Sequence, residues 1–447
     1  MPTKFAFRQT FPIAAILAAM LLAAGCVSKP PDLPPQQSPE PARKTLKIAY
    51  FNEQSFTKEY GNTFKKFNPN VDIEIIPMVQ TSGGKTVFLE NAAILEKKPD
   101  IVYGPTLITD TNKAGKLVDL SGLVKQDNFD LGQFAENALE AIRDTTDGRL
   151  VALSPSFQTA ALFYNKKIFD RLGLPYPAGG MSWQSMMSLA KSISRDEGGK
   201  RLYGLQNYST PTSFASSYIA GMGVSMYSSN QPEAKFTSDA FQTAFGEAVN
   251  AFRSGAFYLP PEEPVKTKED SLSRSKFIIG EAAMMISTPS LFAALREAPG
   301  VSGVPAVDYD IVVEPVSPSG SSFLVADLFG IMKDSPNMQV AWEFLKFVTG
   351  QEMAAELIKT KPGVLSIRKD AITAIDGHKL DPFYAKKPKP ISISTLSPEL
   401  ARKLNDMVTE EFTHMLYERK SVTDGLKQLQ QRAQIAIHED SPAAKSK

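Results

Sequence analysis

Residue types that carry out covalent or metal chemistry are scarce in this sequence of 447 residues. It contains one cysteine, Cys26, and three histidines, His378, His414 and His438. The histidines form no His-Glu-x-x-His motif, and a single cysteine cannot build a thiolate metal site. The sequence also lacks a Gly-x-Ser-x-Gly elbow and a glycine-rich phosphate loop. We therefore predict that the protein is not an enzyme and uses no metal or cofactor, with an acid–base pair of carboxylates as the alternative.

The segment before Cys26 has the pattern of a secretory signal. Lys4 and Arg8 precede an uncharged apolar run, residues 11–24, which is followed by Gly25 and Cys26. A basic start, a short apolar stretch and small residues before a cleavage site predict a signal peptide over residues 1–25. The alternative is a transmembrane helix, but the run is shorter than the roughly 20 residues that span a bilayer.

The residues around Cys26 resemble a bacterial lipobox, in which the cysteine is acylated and becomes the new N-terminus. Ala23 stands where leucine is commonest in that pattern. Cys26 is the only cysteine, so no disulfide forms within the chain, and its place at the signal boundary fits acylation. Several acyl chains anchor a protein stably, at about 0.8 kcal/mol for each buried methylene. The resemblance implies lipidation of Cys26 and a lipid-anchored location on the outer face of the cell membrane.

Two segments have compositions that do not favour a folded core. Residues 26–44 contain six prolines and few large apolar side chains, so we predict an extended tether of about 3.1 Å per residue. Residues 441–447 are predicted to be a disordered tail. The net charge is +1, which gives no electrostatic reason to expect nucleic acid as a partner.

The chain between these segments is long enough for two lobes. Residues 46–51 and 71–75 alternate like strands, and aromatic residues at helical spacing lie between them. This order of strand, helix and strand begins a βαβ unit with a parallel sheet. A further strand is expected at residues 101–103. Ser335 followed by Pro336 predicts the start of a later helix. Ligands of such sheets lie beyond the carboxyl ends of the strands.

Six segments in order resemble the extracellular solute-binding proteins of the maltose-binding type, from about Thr45 to Ile437. The first two are the run DGRLVALSP at residues 147–155 and LFYNKKIF at residues 162–169. The others are GLP with SWQ (173–175 and 182–184), FIIGEAAM (277–284), AWEFLKF (341–347) and PG with SIR (362–363 and 366–368). Each motif alone is weak, but their order and spacing together are specific.

The resemblance implies an α/β fold of the periplasmic-binding-protein-like type II, with two discontinuous lobes and a ligand cleft between them. The N-terminal lobe would be residues 45–157 plus 308–362, and the C-terminal lobe residues 158–307 plus 363–440. Hinge crossings are expected near residues 157–159 and near Val307, where the lobes close around a ligand. The implied partners are a small-molecule solute and the permease of an ABC importer, and the implied state is a monomer.

The same resemblance, together with the strand ends, suggests which side chains hold a polar solute. The ligand-binding candidates are Asn52, Glu53, Gln54, Thr106, Gln158, Asn207, Tyr208, Thr288 and Ser290. Trp183 and Trp342 stand at packing positions, so aromatic stacking must come from other rings. The candidates for stacking are Phe51, Phe157, Tyr208 and Phe323. For each polar candidate the alternative role is to cap a turn or helix.

The expected solute is a sugar or oligosaccharide, although a long glucan is disfavoured because no tryptophan is free to stack. A rival interpretation keeps the fold and changes the partner. In that case the protein is a ligand-binding co-receptor for a membrane sensor kinase, or an interaction protein without a transport role.

Overall fold

The computed structural model describes residues 43–82, 85–228, 233–301, 304–316, 323–385 and 398–440. The predicted signal peptide, Cys26, nearly all of the tether and the tail lie outside the described residues. Among the described helices, none combines the length and the apolar character that crossing a membrane requires.

The strands form two larger sheets and several short pairs. Their bounds are β1 (Lys44–Tyr50), β2 (Val71–Pro77), β3 (Val79–Ser82), β4 (Lys85–Phe88), β5 (Ile101–Tyr103), β6 (Ala152–Leu153), β7 (Ser156–Gln158), β8 (Ala161–Asn165), β9 (Arg195–Glu197), β10 (Lys200–Asn207), β11 (Ala282–Ser287), β12 (Tyr309–Val312), β13 (Phe329–Ile331), β14 (Val364–Ser366), β15 (Ala374–Ile375) and β16 (His378–Lys379).

Helices pack around both sheets, and a π-helical turn, Thr57–Gly61, joins the first two of them. Their bounds are α1 (Glu53–Phe56), α2 (Asn62–Phe67), α3 (Asn91–Leu95), α4 (Pro105–Lys113), α5 (Ser121–Gln126), α6 (Glu136–Thr145), α7 (Lys166–Leu172), α8 (Trp183–Ile193), α9 (Pro211–Gly221), α10 (Asp239–Arg253), α11 (Lys268–Arg274), α12 (Ser290–Glu297), α13 (Met338–Val348), α14 (Gln351–Thr360), α15 (Asp381–Tyr384), α16 (Pro398–Leu416) and α17 (Val422–Asp440).

The first sheet has the strand order β2-β1-β5-β13-β6. β1 runs parallel to both β2 and β5, as the alternating segments and the βαβ pattern predict. β13 runs antiparallel between β5 and β6, so its amino end lies beside the carboxyl ends of β1 and β5. Apolar side chains of β1 and α13, including Ile48 and Trp342, are fully buried in the core of this lobe.

The second sheet has the order β12-β8-β11-β10-β9. β10 and β11 run parallel, while β8 runs antiparallel to β11 and β12. Helices α8, α10, α16 and α17 supply apolar side chains to one core against this sheet. Phe412 of α16 packs on Phe245 of α10 with ring centres 4.3 Å apart. Trp183 is also buried in this core, so both tryptophans have the predicted packing role.

Crossing segments connect the two sheets. β7 and β14 pair antiparallel, with Phe157 opposite Leu365, and the backbone of Gln158 bonds to that of Leu324 in both directions. The crossing predicted near Val307 precedes β12, which pairs with β8 of the second sheet. We therefore propose a first lobe of residues 45–157 plus 323–362 and a second lobe of residues 158–316 plus 363–440.

The helix predicted after Ser335 begins two residues later than expected. Asn337 precedes the first helical residue, Met338. Ser335 thus stands two residues before the N-cap position, and its hydroxyl donates to Asp100 at 2.5 Å and accepts from the Asn337 amide. The buried carboxylate of Asp100 thus decides the local geometry that the sequence pattern alone misplaces.

Candidate functional site

A cavity of about 370 Å³ opens at the carboxyl ends of β10 and β11 in the second lobe. Its volume falls within the range of small-molecule sites. Parallel strands place their carboxyl ends at one edge, where α/β proteins bind ligands. The lining residues used below are Gln206, Asn207, Tyr208, Tyr258, Glu263, Arg274, Ser287 and Ser290.

The end of β10 supplies one amide-rich wall of this cavity. Asn207 Oδ1 accepts from the backbone and hydroxyl of Ser209 at 2.8 and 2.7 Å, so its carbonyl oxygen closes a turn. Gln206 Oε1 accepts from the Phe277 amide at 2.9 Å. The residue after Asn207 is Tyr208, whose side chain is 52% exposed. Of these side chains, Tyr208 therefore offers the largest free face to a ligand.

The end of β11 supplies hydroxyl groups. Ser287 is buried, and the hydroxyls of Thr288 and Ser290 lie 2.7 Å apart. A Cβ atom built on Gly363 would lie 3.8 Å from Thr288 Oγ1. This edge of the second sheet therefore reaches the crossing segment that contains Gly363, and the cavity lies close to the hinge.

The one arginine among the described residues of the cavity wall, Arg274, is paired. Arg274 forms an ion pair with Asp270 and donates to the carbonyl oxygen of Glu263 at 2.9 Å. A hydrogen bond from the Lys266 amide, with Arg274 adding to it, holds the pKa of Asp270 below its usual range. The positive charge of Arg274 in the cavity wall is therefore neutralised by Asp270.

The tyrosines at this edge are neutral donors. Burial raises the pKa of Tyr208, and the carboxylate of Glu314 adds to the shift. Burial likewise raises the pKa of Tyr258. Both phenols keep their proton across the physiological range, so they present hydroxyl groups rather than charges to whatever the cavity holds.

The predicted first-lobe residues follow β1 and β5 but do not line this cavity. Asn52 Oδ1 accepts from the Ser55 amide at 2.8 Å and thereby caps α1. Glu53 and Gln54 are exposed on the first turn of that helix, and Thr106 is exposed on the first turn of α4. Asn52 thus has the alternative, structural role, while the other three side chains face solvent.

The predicted hinge residues divide into one exposed side chain and a buried aromatic pair. Gln158 is exposed and holds its place through backbone bonds to Leu324. Phe157 and Phe323 stack with ring centres 4.6 Å apart and are 1% and 2% exposed. These two rings pack on each other and offer no free face to a solute in this conformation, so their stacking on a solute stays a prediction.

One exposed ring was missed by reasoning from the sequence. Phe88 of the β3–β4 hairpin is 69% exposed and makes an edge contact with Phe51 at 6.0 Å. Backbone bonds from Met78 and Val79 to the residues that end β1 place the hairpin at the carboxyl edge of the first sheet. The Gly-Gly pair between two alternating runs is a hairpin signal that could have found it.

The described part of the chain contains no group of three or more His, Cys, Asp or Glu side chains that could hold a metal ion. The chemistry at the strand ends consists of hydroxyls, amides, aromatic faces and paired charges. Such groups recognise a polar molecule through hydrogen bonds and ring contacts.

Comparison with known proteins gives the relatives of this fold. The family model of bacterial extracellular solute-binding proteins matches residues 49–355. A curated binding protein of Brucella abortus is 23% identical over 274 residues, which cover 60% of this chain. The chain spans 62% of the length of the curated relatives that it matches.

Solved structures resemble the chain over most of its length. A sugar transporter of Rhizobium etli in an open conformation has a TM-score of 0.58 at 20% identity, covering 87% of this chain and 98% of that one. The sugar-binding protein MalE of Xanthomonas citri has a TM-score of 0.57 at 17% identity, covering 89% and 98%. An Agrobacterium vitis solute-binding protein with bound D-mannitol has a TM-score of 0.55 at 17% identity, covering 89% and 99%. The predicted two-lobed α/β fold is confirmed, and the chain belongs to the bacterial extracellular solute-binding protein family.

Proposed function

We propose that this protein captures a neutral, hydroxyl-rich solute, a sugar, oligosaccharide or polyol, and delivers it to the permease of an ABC importer. The observation that carries the proposal is the cavity at the ends of β10 and β11, beside the exposed ring of Tyr208. Three structural neighbours are named as sugar-handling proteins or contain a bound sugar alcohol, which supports the same ligand class.

The groups around the cavity favour a neutral solute. Arg274 carries Asp270 as its counter-charge, and the tyrosine hydroxyls hold their protons. An anionic ligand would find the arginine of this wall already paired with Asp270, and an unpaired buried charge is costly. Hydroxyl groups, which both donate and accept, match the serine, threonine and amide groups at the strand ends.

Aromatic contact in this proposal comes from two exposed rings. Tyr208 lies at the edge of the second sheet, and Phe88 lies at the corresponding edge of the first. An offset aromatic face adds apolar contact that hydrogen bonds do not supply. Tyr208, Asn207, Thr288 and Ser290 are our proposed second-lobe contacts. Gln158 is the proposed contact at the hinge, and Glu53, Gln54 and Thr106 remain proposed contacts of the first lobe.

We further propose that Cys26 is acylated after removal of residues 1–25, so that residues 26–44 tether the body to the outer face of the cell membrane. The support lies in the sequence, where one cysteine follows a basic and then apolar segment. A tethered binding protein stays near a membrane permease, which raises the effective concentration of each for the other.

A melting screen tests solute capture. We expect one sugar, oligosaccharide or polyol to raise the melting temperature, since a ligand of the folded state adds about 2.7 kcal/mol at a hundredfold excess over Kd. Amino acids and short peptides serve as the comparison set. A purified sensor domain that shifts the transition, when no small solute does, would favour the co-receptor interpretation instead.

Within that screen, Tyr208→Ala locates the site. Loss of one aromatic contact, worth roughly 0.5–1.5 kcal/mol, is expected to weaken binding by a factor of about 2 to 13. Tyr176→Ala is the matched control, because Tyr176 is also an exposed tyrosine (45%) and contacts Tyr164 away from the cavity. Equal weakening by both substitutions would place the solute elsewhere.

Acylation is tested by Cys26→Ala. We expect the variant to lack lipid by mass spectrometry and to pass from the membrane fraction into the soluble exported fraction, because acyl chains supply the anchoring free energy. Cys26→Ser with the same fractionation separates loss of the thiol from loss of side-chain size. A variant that stays in the membrane fraction without lipid would overturn the anchor.

A further inference from the structure

The first lobe contains a group of charged and tyrosine side chains that the proposed solute site does not use. Lys361 Nζ lies 3.1 Å from Asp327 Oδ2 and forms a second ion pair with Glu59. It also donates to the Tyr60 hydroxyl at 3.3 Å and lies 5.1 Å from the centre of that ring. The Lys361 cluster is defined here as Tyr50, Glu59, Tyr60, Tyr103, Ser156, Asp327 and Lys361.

Hydroxyl groups complete the cluster. Asp327 accepts from the Tyr103 hydroxyl at 2.5 Å and from the Ser156 hydroxyl at 3.1 Å. The Tyr50 hydroxyl donates to Glu59 at 2.9 Å. Burial, with the charge of Asp327 adding to it, raises the pKa of Tyr103 far above its usual value. The phenol therefore stays a donor, and the carboxylates are held in fixed positions.

Each crossing segment contributes one member of the cluster. Ser156 is the first residue of β7, and Asp327 stands between Leu324 and β13. Lys361 directly follows α14, three residues before β14 begins. The remaining members come from the body of the first lobe, at the ends of β1 and β5 and in the helix after β1. One polar cluster therefore joins all three segments to the same lobe.

The helical part of the cluster has an unusual backbone. Glu59 and Tyr60 lie in the π-helical turn Thr57–Gly61, between α1 and α2. Such turns are rare and concentrate at functional sites. Both neighbouring side chains of this turn contact Lys361. This local geometry is consistent with a cluster that has a role beyond general packing.

The three charges are shielded from solvent. The side chains of Lys361, Glu59 and Asp327 are 20%, 24% and 14% exposed. Salt screens partly buried pairs much less than surface pairs. Removing the ammonium group would leave two carboxylates close together without a counter-charge, which strongly favours their separation. Separation of Glu59 from Asp327 would free two crossing segments, those that contain Asp327 and Lys361, from the helix after β1.

We infer that the Lys361 cluster is a positioning device, which fixes the first-lobe ends of the three crossing segments and so limits the angles that the lobes can adopt. Gln158 stands two residues after Ser156, and Gly363, which faces Thr288, stands two residues after Lys361. The cluster therefore positions the hinge beside the cavity. The inference rests on the proposed function, in which the lobes close around a solute.

Distance measurements between spin labels on the two lobes, made without any solute, test this role. The full chain with Cys26→Ala carries labels at Lys113→Cys in α4 and Lys191→Cys in α8, both exposed positions. We expect Lys361→Met to widen the distance distribution about twofold or more, because states that the cluster excludes become populated. Lys361→Arg, which keeps the charge, is expected to retain the narrow distribution.

Lys346 provides a matched control. Its ammonium group also joins two carboxylates, Asp127 at 2.7 Å and Glu343 at 2.9 Å, and lies 5.9 Å from the centre of the Trp342 ring. This group lies within the first lobe and includes no residue of a crossing segment. Lys346→Met is expected to leave the distance distribution unchanged, even where it lowers the melting temperature.

Ser156→Ala keeps the test decisive if Lys361→Met does not fold. It removes one hydroxyl that ties β7 to Asp327 and leaves all three charges in place, so an intermediate widening is expected. Distributions as narrow as that of the parent in every folded cluster variant would overturn the inference. Because no solute is added, a failed solute screen and a failed positioning role give separate results.

Discussion

Gly204→Ala is expected to lower the free energy of unfolding of the second lobe by about 3 kcal/mol or more, at the upper end of the usual cost of overpacking. A Cβ atom at Gly204 would lie 2.2 Å from the carbonyl oxygen and 2.5 Å from the Cα atom of Ala190. Both are backbone atoms of α8, so no side-chain rotation relieves the clash. β10 and α8 must separate, and the cavity at the end of β10 would be disturbed with them.

The matched control is Gly246→Ala in α10. Nothing lies within 4 Å of the added methyl group there, and an alanine in a helix interior is expected to stabilise by roughly 0.5–1 kcal/mol. Denaturant unfolding followed by tyrosine and tryptophan fluorescence compares the two variants. If both variants unfold at the same denaturant concentration as the parent, β10 and α8 are not in the close contact described above.

Trp342→Ala is expected to destabilise the first lobe by about 3–5 kcal/mol, the usual cost of emptying a buried aromatic site. The ring is 0% exposed and makes an edge contact with Phe129 at 5.4 Å. Its Nε1 donates to Asp127 at 2.9 Å, and hydrogen bonds from Lys346 and then Trp342 hold the pKa of that carboxyl below its usual range. The substitution removes both the packing and one of these bonds.

Trp342→Phe separates the two contributions. It keeps most of the buried ring but leaves Asp127 without the indole donor, so a loss smaller than that of Trp342→Ala is expected, because water can replace the donor at this carboxylate. Unfolding by guanidinium chloride measures both variants against the parent. Equal losses for alanine and phenylalanine would show that packing at this position contributes little.

Much of the fold could be predicted because its strands and helices have regular patterns. The alternation in residues 46–51 and 71–75 identifies β1 and β2, and the motif order identifies the two-lobed family. The second crossing was predicted to precede β12, a strand of four residues whose sequence has no feature that assigns it to either sheet. Its pairing with β8 depends on contacts with residues almost 150 positions earlier.

The candidate site was predictable as an edge of a sheet but not as a set of side chains. Asn207 and Tyr208 follow one another, yet one closes a turn and the other is exposed. Phe157 and Phe323 are aromatic residues of the crossing segments, but they pack on each other. The Lys361 cluster joins residues about 300 positions apart, and no local pattern reports such a contact.

The discontinuous sheets have a consequence for folding during synthesis. β13, which completes the middle of the first sheet, begins only at Phe329, and the core of the second lobe includes side chains of α17, up to Ile437. Domains generally fold as units once their residues are available. A growing chain of about 300 residues therefore has neither lobe complete. We expect it to remain unfolded until nearly all of it has been made.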